Sequence, residues 1–138
     1  MKTLLLAVVA LVACGGRAAV TSCADDLTGA WRGDAGAWMI LDDEATLEVY
    51  PLFDDLRDTS AAPRLMDVRR SPQALLGEVH RRYTRGAATC DAKAQVHVLA
   101  CSDDALELEL ADPASPAAFA PCTWAGAVAP HHERWHRE

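Results

Sequence analysis

The densest set of side chains able to do chemistry lies in PHHERWHRE, where His131, His132, Glu133 and His136 fall within six residues. Residues 132 to 136 read H-E-x-x-H. On a helix, residues four apart share a face, so both imidazoles could grip a zinc ion while the glutamate takes a proton from its water. That chemistry depends on the helix. Pro130 can open one, but the run to Glu138 is only about two turns, which is marginal without packing. As a strand, the same residues put His132, Arg134 and His136 on one side and Trp135 on the other. That second arrangement suits a barrel-closing strand with Trp135 buried.

The H-E-x-x-H pattern resembles the zinc-metallopeptidase signature. The resemblance implies a third zinc ligand downstream, yet only two residues follow His136 in this sequence. A zinc peptidase acting through His132, Glu133 and His136 is therefore the third-ranked reading. Loose binding of zinc, copper or nickel by His131, His132 and His136 asks less of the chain. No serine has a G-x-S-x-G setting, and the cysteines are expected to be oxidised, so no catalytic residue, cofactor or functional metal site is assigned.

Acidic groups recur at Asp25-Asp26, Asp42-Asp43-Glu44, Asp54-Asp55 and Asp103-Asp104. They fall where turns are expected, and aspartate there binds nearby backbone amides; no complete calcium loop is present. Arginines concentrate between Arg64 and Arg85, including the doublets Arg69-Arg70 and Arg81-Arg82. They are expected on a solvated strand face opposite Glu107 and Glu109, where exposed pairs contribute little. The formal net charge is -7, which disfavours a nucleic-acid partner.

The amino terminus sets the compartment. Lys2 precedes a short apolar run, Leu4 to Val12, about half the length needed to span a bilayer. This is the form of a secretory signal, residues 1–13. Leu11-Val12-Ala13-Cys14 resembles the lipobox of bacterial lipoproteins. That resemblance implies cleavage before Cys14, acylation of Cys14 as a lipid anchor, and, with Gly15 following, sorting to the outer membrane. Residues 14–22 then form a tether and residues 23–138 a single β domain. Setting Cys14 aside leaves Cys23, Cys90, Cys101 and Cys122, an even set for an exported chain. Of three connectivities, Cys23–Cys122 with Cys90–Cys101 is expected, because it ties the start of the domain to its end.

The interior reads as strands. In Ala105 to Ala111, Leu106, Leu108 and Leu110 alternate with Glu107 and Glu109. Gln95–Cys101, Thr46–Tyr50, Ala37–Leu41, Leu75–Tyr83 and, more faintly, Arg64–Arg70 add further strands, and Glu133 to the end adds a last one. PLFDDLRD is the one candidate for a short helix. A mostly β fold is expected, a small antiparallel barrel or sandwich stapled by disulfides. Gly29-Ala30-Trp31 resembles the G-x-W that opens the first strand of lipocalin-like domains. The resemblance implies a barrel whose closed end is crossed by Trp31, with Arg134 or Arg137 of the last strand stacked on it.

These features lead to a non-catalytic envelope lipoprotein serving as a structural or protein-interaction module. The alternative is a lipocalin-like barrel binding an apolar small molecule. The expected partners are the membrane, through the anchor, and another envelope protein or that small molecule.

Overall fold

The computed structural model describes Cys23 and residues 26–52, 65–71 and 74–138. Ten strands follow one another: β1 (Gly29–Gly33), β2 (Gly36–Asp42), β3 (Thr46–Pro51), β4 (Met66–Arg70), β5 (Leu75–Arg85), β6 (Ala88–Cys101), β7 (Ala105–Leu110), β8 (Pro116–Phe119), β9 (Cys122–Trp124) and β10 (His131–Arg137). Strands β1 to β7 form an antiparallel meander, and β10 pairs with both β7 and β1 to close it into an eight-stranded barrel. The expectation of a small β barrel is met. The PLFDDLRD helix falls mainly on residues outside those described.

Alternation explains why these segments pair as they do. Trp31, Trp38, Ile40, Leu47, Val49, Met66, Val68, Leu75, Val79, Val96, Val98, Leu106, Leu108, Leu110 and Trp135 are all buried and form one core. Each points inward because successive side chains of a strand leave on opposite faces. A one-residue slip would turn every such set outward, so burial fixes the register. Closure removes the two sheet edges that an open sheet of this size would expose.

Two glycines permit close approaches. A β-carbon on Gly33 would lie 2.4 Å from Trp135 Cδ1. Its absence lets Trp135 stack on Trp38, with ring centroids 4.0 Å apart. At Gly77 a β-carbon would lie 1.8 Å from the Asp67 carbonyl oxygen, so only glycine lets β4 pack here.

The barrel has two unlike ends. At the closed end the chain enters through Leu27, fully buried, and the β2–β3 and β6–β7 turns lie beside it. At the other end β5 and β6 run past their neighbours. β4 pairs with β5 only to Val79, and β7 pairs with β6 only from Val96. Beyond those points β5 and β6 continue as a two-stranded arm, Arg81–Arg85 against Ala88–Ala92. The β8–β9 hairpin, with a cis Ala120–Pro121 bond in its turn, folds against this arm as a flap.

Candidate functional site

At the closed end, polar groups are interlocked. Trp31 is fully buried, and its indole Nε1 donates to the Leu27 carbonyl at 2.8 Å. The Arg137 guanidinium lies 4.9 Å from the Trp31 ring centroid, and it donates to the carbonyls of Thr28, Asp26 and Asp103. Of the two arginines expected to cross Trp31, Arg137 does so. Arg134 faces outward, 3.9 Å from Glu107. The alternation of β10 decides this, because residue 137 shares the inward side with Trp135 and residue 134 does not.

Beside this contact Arg70 reaches across to Asp42, whose side chain is only 3% exposed, and donates to the Cys23 carbonyl. The Asp42 carboxylate also accepts from the amides of Leu27 at 2.9 Å and Glu44 at 3.0 Å. Asp43 caps the β2–β3 turn through the amides of Ala45 and Thr46 and the Thr46 hydroxyl. These bonds, led by the Thr46 amide, hold the Asp43 carboxyl below its ordinary value. Asp26 is lowered likewise, chiefly by the Thr28 amide. The turn-capping role expected of Asp42-Asp43 and Asp26 is therefore seen; Asp25 and Asp54-Asp55 lie outside the described residues.

The disulfide pairing differs from expectation. Cys23 bonds Cys101 at the closed end, and Cys90 bonds Cys122 between the arm and the flap, with Cα–Cα distances of 5.7 and 5.9 Å. The pairing Cys23–Cys122 with Cys90–Cys101 is excluded because Cys23 and Cys122 lie at opposite ends of the barrel, as do Cys90 and Cys101. Two disulfides fit an oxidising, extracytoplasmic compartment. Cys14 lies outside the described residues.

The His-rich segment is a strand, not a helix. His132 and His136 point to solvent on one side of β10, and four residues of strand separate their Cα atoms by about 13 Å. That is too far for one zinc ion held at about 2 Å by each imidazole. Instead His132 Nε2 meets Glu109 Oε2 at 3.0 Å, and His131 Nε2 meets Glu133 Oε1 at 3.0 Å. Glu133 accepts from the Trp135 indole at 2.8 Å, so the glutamate orients a core tryptophan. Among the described residues, no three His, Cys, Asp or Glu side chains are grouped to hold a metal ion.

The arginines do not face Glu107 and Glu109. Those glutamates sit on β7, whose neighbours are β6 and β10, and they meet Arg134 and His132. On the arm Arg82 pairs with Asp91 at 2.7 Å, and at its base Lys93 pairs with Glu78 at 3.0 Å. Each partner shifts its neighbour: the Arg82 bond lowers Asp91, and the Lys93 bond lowers Glu78. Arg81 stacks over Tyr83 and Arg85 over Phe119, at 5.5 and 4.7 Å from the ring centroids. Tyr83 donates its hydroxyl to the Pro113 carbonyl at 3.0 Å, which ties the segment leading into the flap to the arm.

Among the described residues, two clefts can be traced at this end. One, of about 680 Å³, is lined by Pro51, Leu65, His80, Arg81, Arg82 and Lys93 among others. The second, of about 320 Å³, lies between Asp91, Ala92 and Lys93 of β6 and, opposite, Ala114 just before β8 and Trp124 of the flap. Sequence reasoning missed both, because the arm and flap lack a strong apolar alternation. The exposed Trp124 in an alanine- and proline-rich setting was the one available signal. No protein-family model, curated protein or solved structure matches the chain.

Proposed function

We propose that this chain is an exported, lipid-anchored barrel of the bacterial envelope whose outer surface, and not its interior, is the working part: a non-catalytic protein-interaction module. The observation that carries this reading is the filled core. Trp31 and Trp135 are fully buried, Trp38 stacks on Trp135, and Leu and Val side chains from every other barrel strand occupy the remaining interior. Small barrels closed in this manner are packed and not hollow. The lipobox-like Leu11 to Cys14 supports an anchor, which the tether would join to the closed end at Cys23. The eight-strand meander, with Trp31 under Arg137, fits a lipocalin-like module in architecture.

Small-molecule binding is the second reading, favoured by the cleft of about 680 Å³ at the arm. Its charged lining suits a polar ligand better than the apolar one that the lipocalin-like resemblance implies. The experiment is a titration of the purified, exported protein with a fluorescent apolar probe, read by quenching of the buried tryptophans. No saturable quenching is expected. Stoichiometric, saturable quenching would favour the ligand-binding barrel. Membrane partition of a Cys14→Ser variant tests the anchor: retention should be lost, and unchanged partition would remove it.

A further inference from the structure

Below Val96 the outer edge of β6 pairs with no strand among the described residues, and the flap, held to β6 by Cys90–Cys122, leaves a groove beside it. The β6–β7 ladder ends at Val96, followed by one more bond from the Ala111 amide to the Gln95 carbonyl. In an antiparallel ladder the N–H and C=O of one residue point the same way, and alternate residues point to opposite sides. The Gln95 bond shows that odd-numbered residues here turn away from β5. Asp91 and Lys93 therefore aim their backbone groups away from β5, where no strand lies beside them among the described residues. What faces them is the groove of about 320 Å³ whose far wall is Ala114 and Trp124. Trp124 is 43% exposed, a large apolar side chain left open to solvent.

We infer that this groove accepts an extended acidic peptide of a partner protein, added as a strand to the β6 edge. The inference rests on the protein-interaction reading above and names its surface. Strand addition supplies backbone bonds, and alternate side chains supply specificity. One side of the added strand would lie on Trp124 and Ala114, which suits apolar residues. The other side would lie by Lys93 and the Arg82 pair. The arm and its base carry Arg81, Arg82, Arg85 and Lys93 against two acids, Asp91 and Glu78, within a chain of net charge -7. Arg81 and Arg85 have aromatic stacking but no carboxylate partner among the described residues. The field at this end therefore attracts a negative strand and repels a positive one.

The test is amide hydrogen exchange, followed by NMR, on the full chain purified after export. The probe is a decapeptide of alternating valine and glutamate, with the valine–lysine counterpart as control. The Asp91 and Lys93 amides should exchange freely alone and slow about tenfold with the acidic peptide, but not with the basic one. Lys93→Pro removes the edge donor without touching the bonds to β5 and should weaken binding about tenfold. Lys93→Ala keeps that donor while losing the charge, so it should weaken binding only about twofold. Trp124→Ala is the second variant should the proline prevent folding, and it too should weaken binding. The inference is overturned if millimolar acidic peptide leaves both amides unprotected, or if Lys93→Pro and Lys93→Ala behave alike. Binding mapped to another face overturns the groove while leaving the interaction module intact. Protection without peptide, accompanied by dimers, would make a second copy the occupant and overturn the acidic partner. A saturable apolar ligand in the barrel overturns the underlying reading itself.

Discussion

Arg137 and Arg81 each stack on an aromatic ring, yet they belong to opposite kinds of surface. At the closed end Arg137 lies over Trp31 and satisfies three backbone carbonyls, while Arg70 neutralises the buried Asp42. The Arg70–Asp42 pair has side chains only 15% and 3% exposed, and removing one partner strands the other where water has little access. On the arm Arg81 lies over Tyr83 in the open, and the Arg82–Asp91 pair has side chains more than 60% exposed. Charges in water contribute little to stability, but they remain free to meet something else. The closed end thus holds the fold, and the arm is left available.

The largest contrast should appear on removing an aromatic from each end. Trp31→Ala empties a fully buried site and should cost about 3–5 kcal/mol, read as a fall in the denaturant midpoint. Trp124→Ala should change stability by less than about 0.5 kcal/mol. Equal losses at the two positions would erase the distinction between the ends.

The ion pairs should differ in the same direction. Arg70→Ala leaves the Asp42 side chain buried without its cation and should cost about 3 kcal/mol, whereas Arg82→Ala, in an exposed pair, should leave the denaturant midpoint almost unchanged. Replacing Asp42 and Arg70 together by apolar residues should recover part of the first loss. A double-variant cycle in urea checks both statements.

The disulfides sharpen the comparison further. Each bond has one buried sulfur, Cys90 or Cys23, but the other is exposed in Cys122 and only half-exposed in Cys101. Mild reductant should therefore open Cys90–Cys122 first, freeing the flap while the barrel stays folded. Timed thiol labelling with mass mapping would follow this, and earlier labelling of Cys23 and Cys101 would contradict it. The smallest effect concerns acid. Because Asp43 is held below its usual 3.8 in the folded state, its contribution is complete above that value and is lost as pH falls through the lowered one. Asp43→Asn should flatten the acid side of the stability profile and leave the neutral side parallel, as measured by urea midpoints across that range.

Legibility followed side-chain size. In β7, Leu106, Leu108 and Leu110 alternate with acids, and the strand was readable outright. β10 carried its orientation in the spacing of Trp135 against His132 and His136. The upper half of β6, Ala88–Ala94, was missed because its buried residues include Cys90 and Ala92, too small to mark a period. The β8–β9 flap hid in ADPASPAAFAP for the same reason. The disulfides depended on those missing strands. Pairing follows from which end each strand terminates at, and a meander with an uncounted hairpin gives the wrong parity. Cys101 ends β6 at the closed end and Cys122 opens β9 at the arm, so a full strand count would have separated them. The groove was invisible for a further reason: it is made of backbone edge, which no residue type announces.

The most direct measurement of the account is native mass spectrometry of the mature protein, purified after export of the full chain. The account predicts a polypeptide lighter by four hydrogens for its two disulfides, carrying acyl mass on Cys14 and nothing released by organic solvent from the barrel. A stoichiometric, solvent-released molecule of a few hundred daltons would contradict the filled interior and make the barrel a ligand carrier.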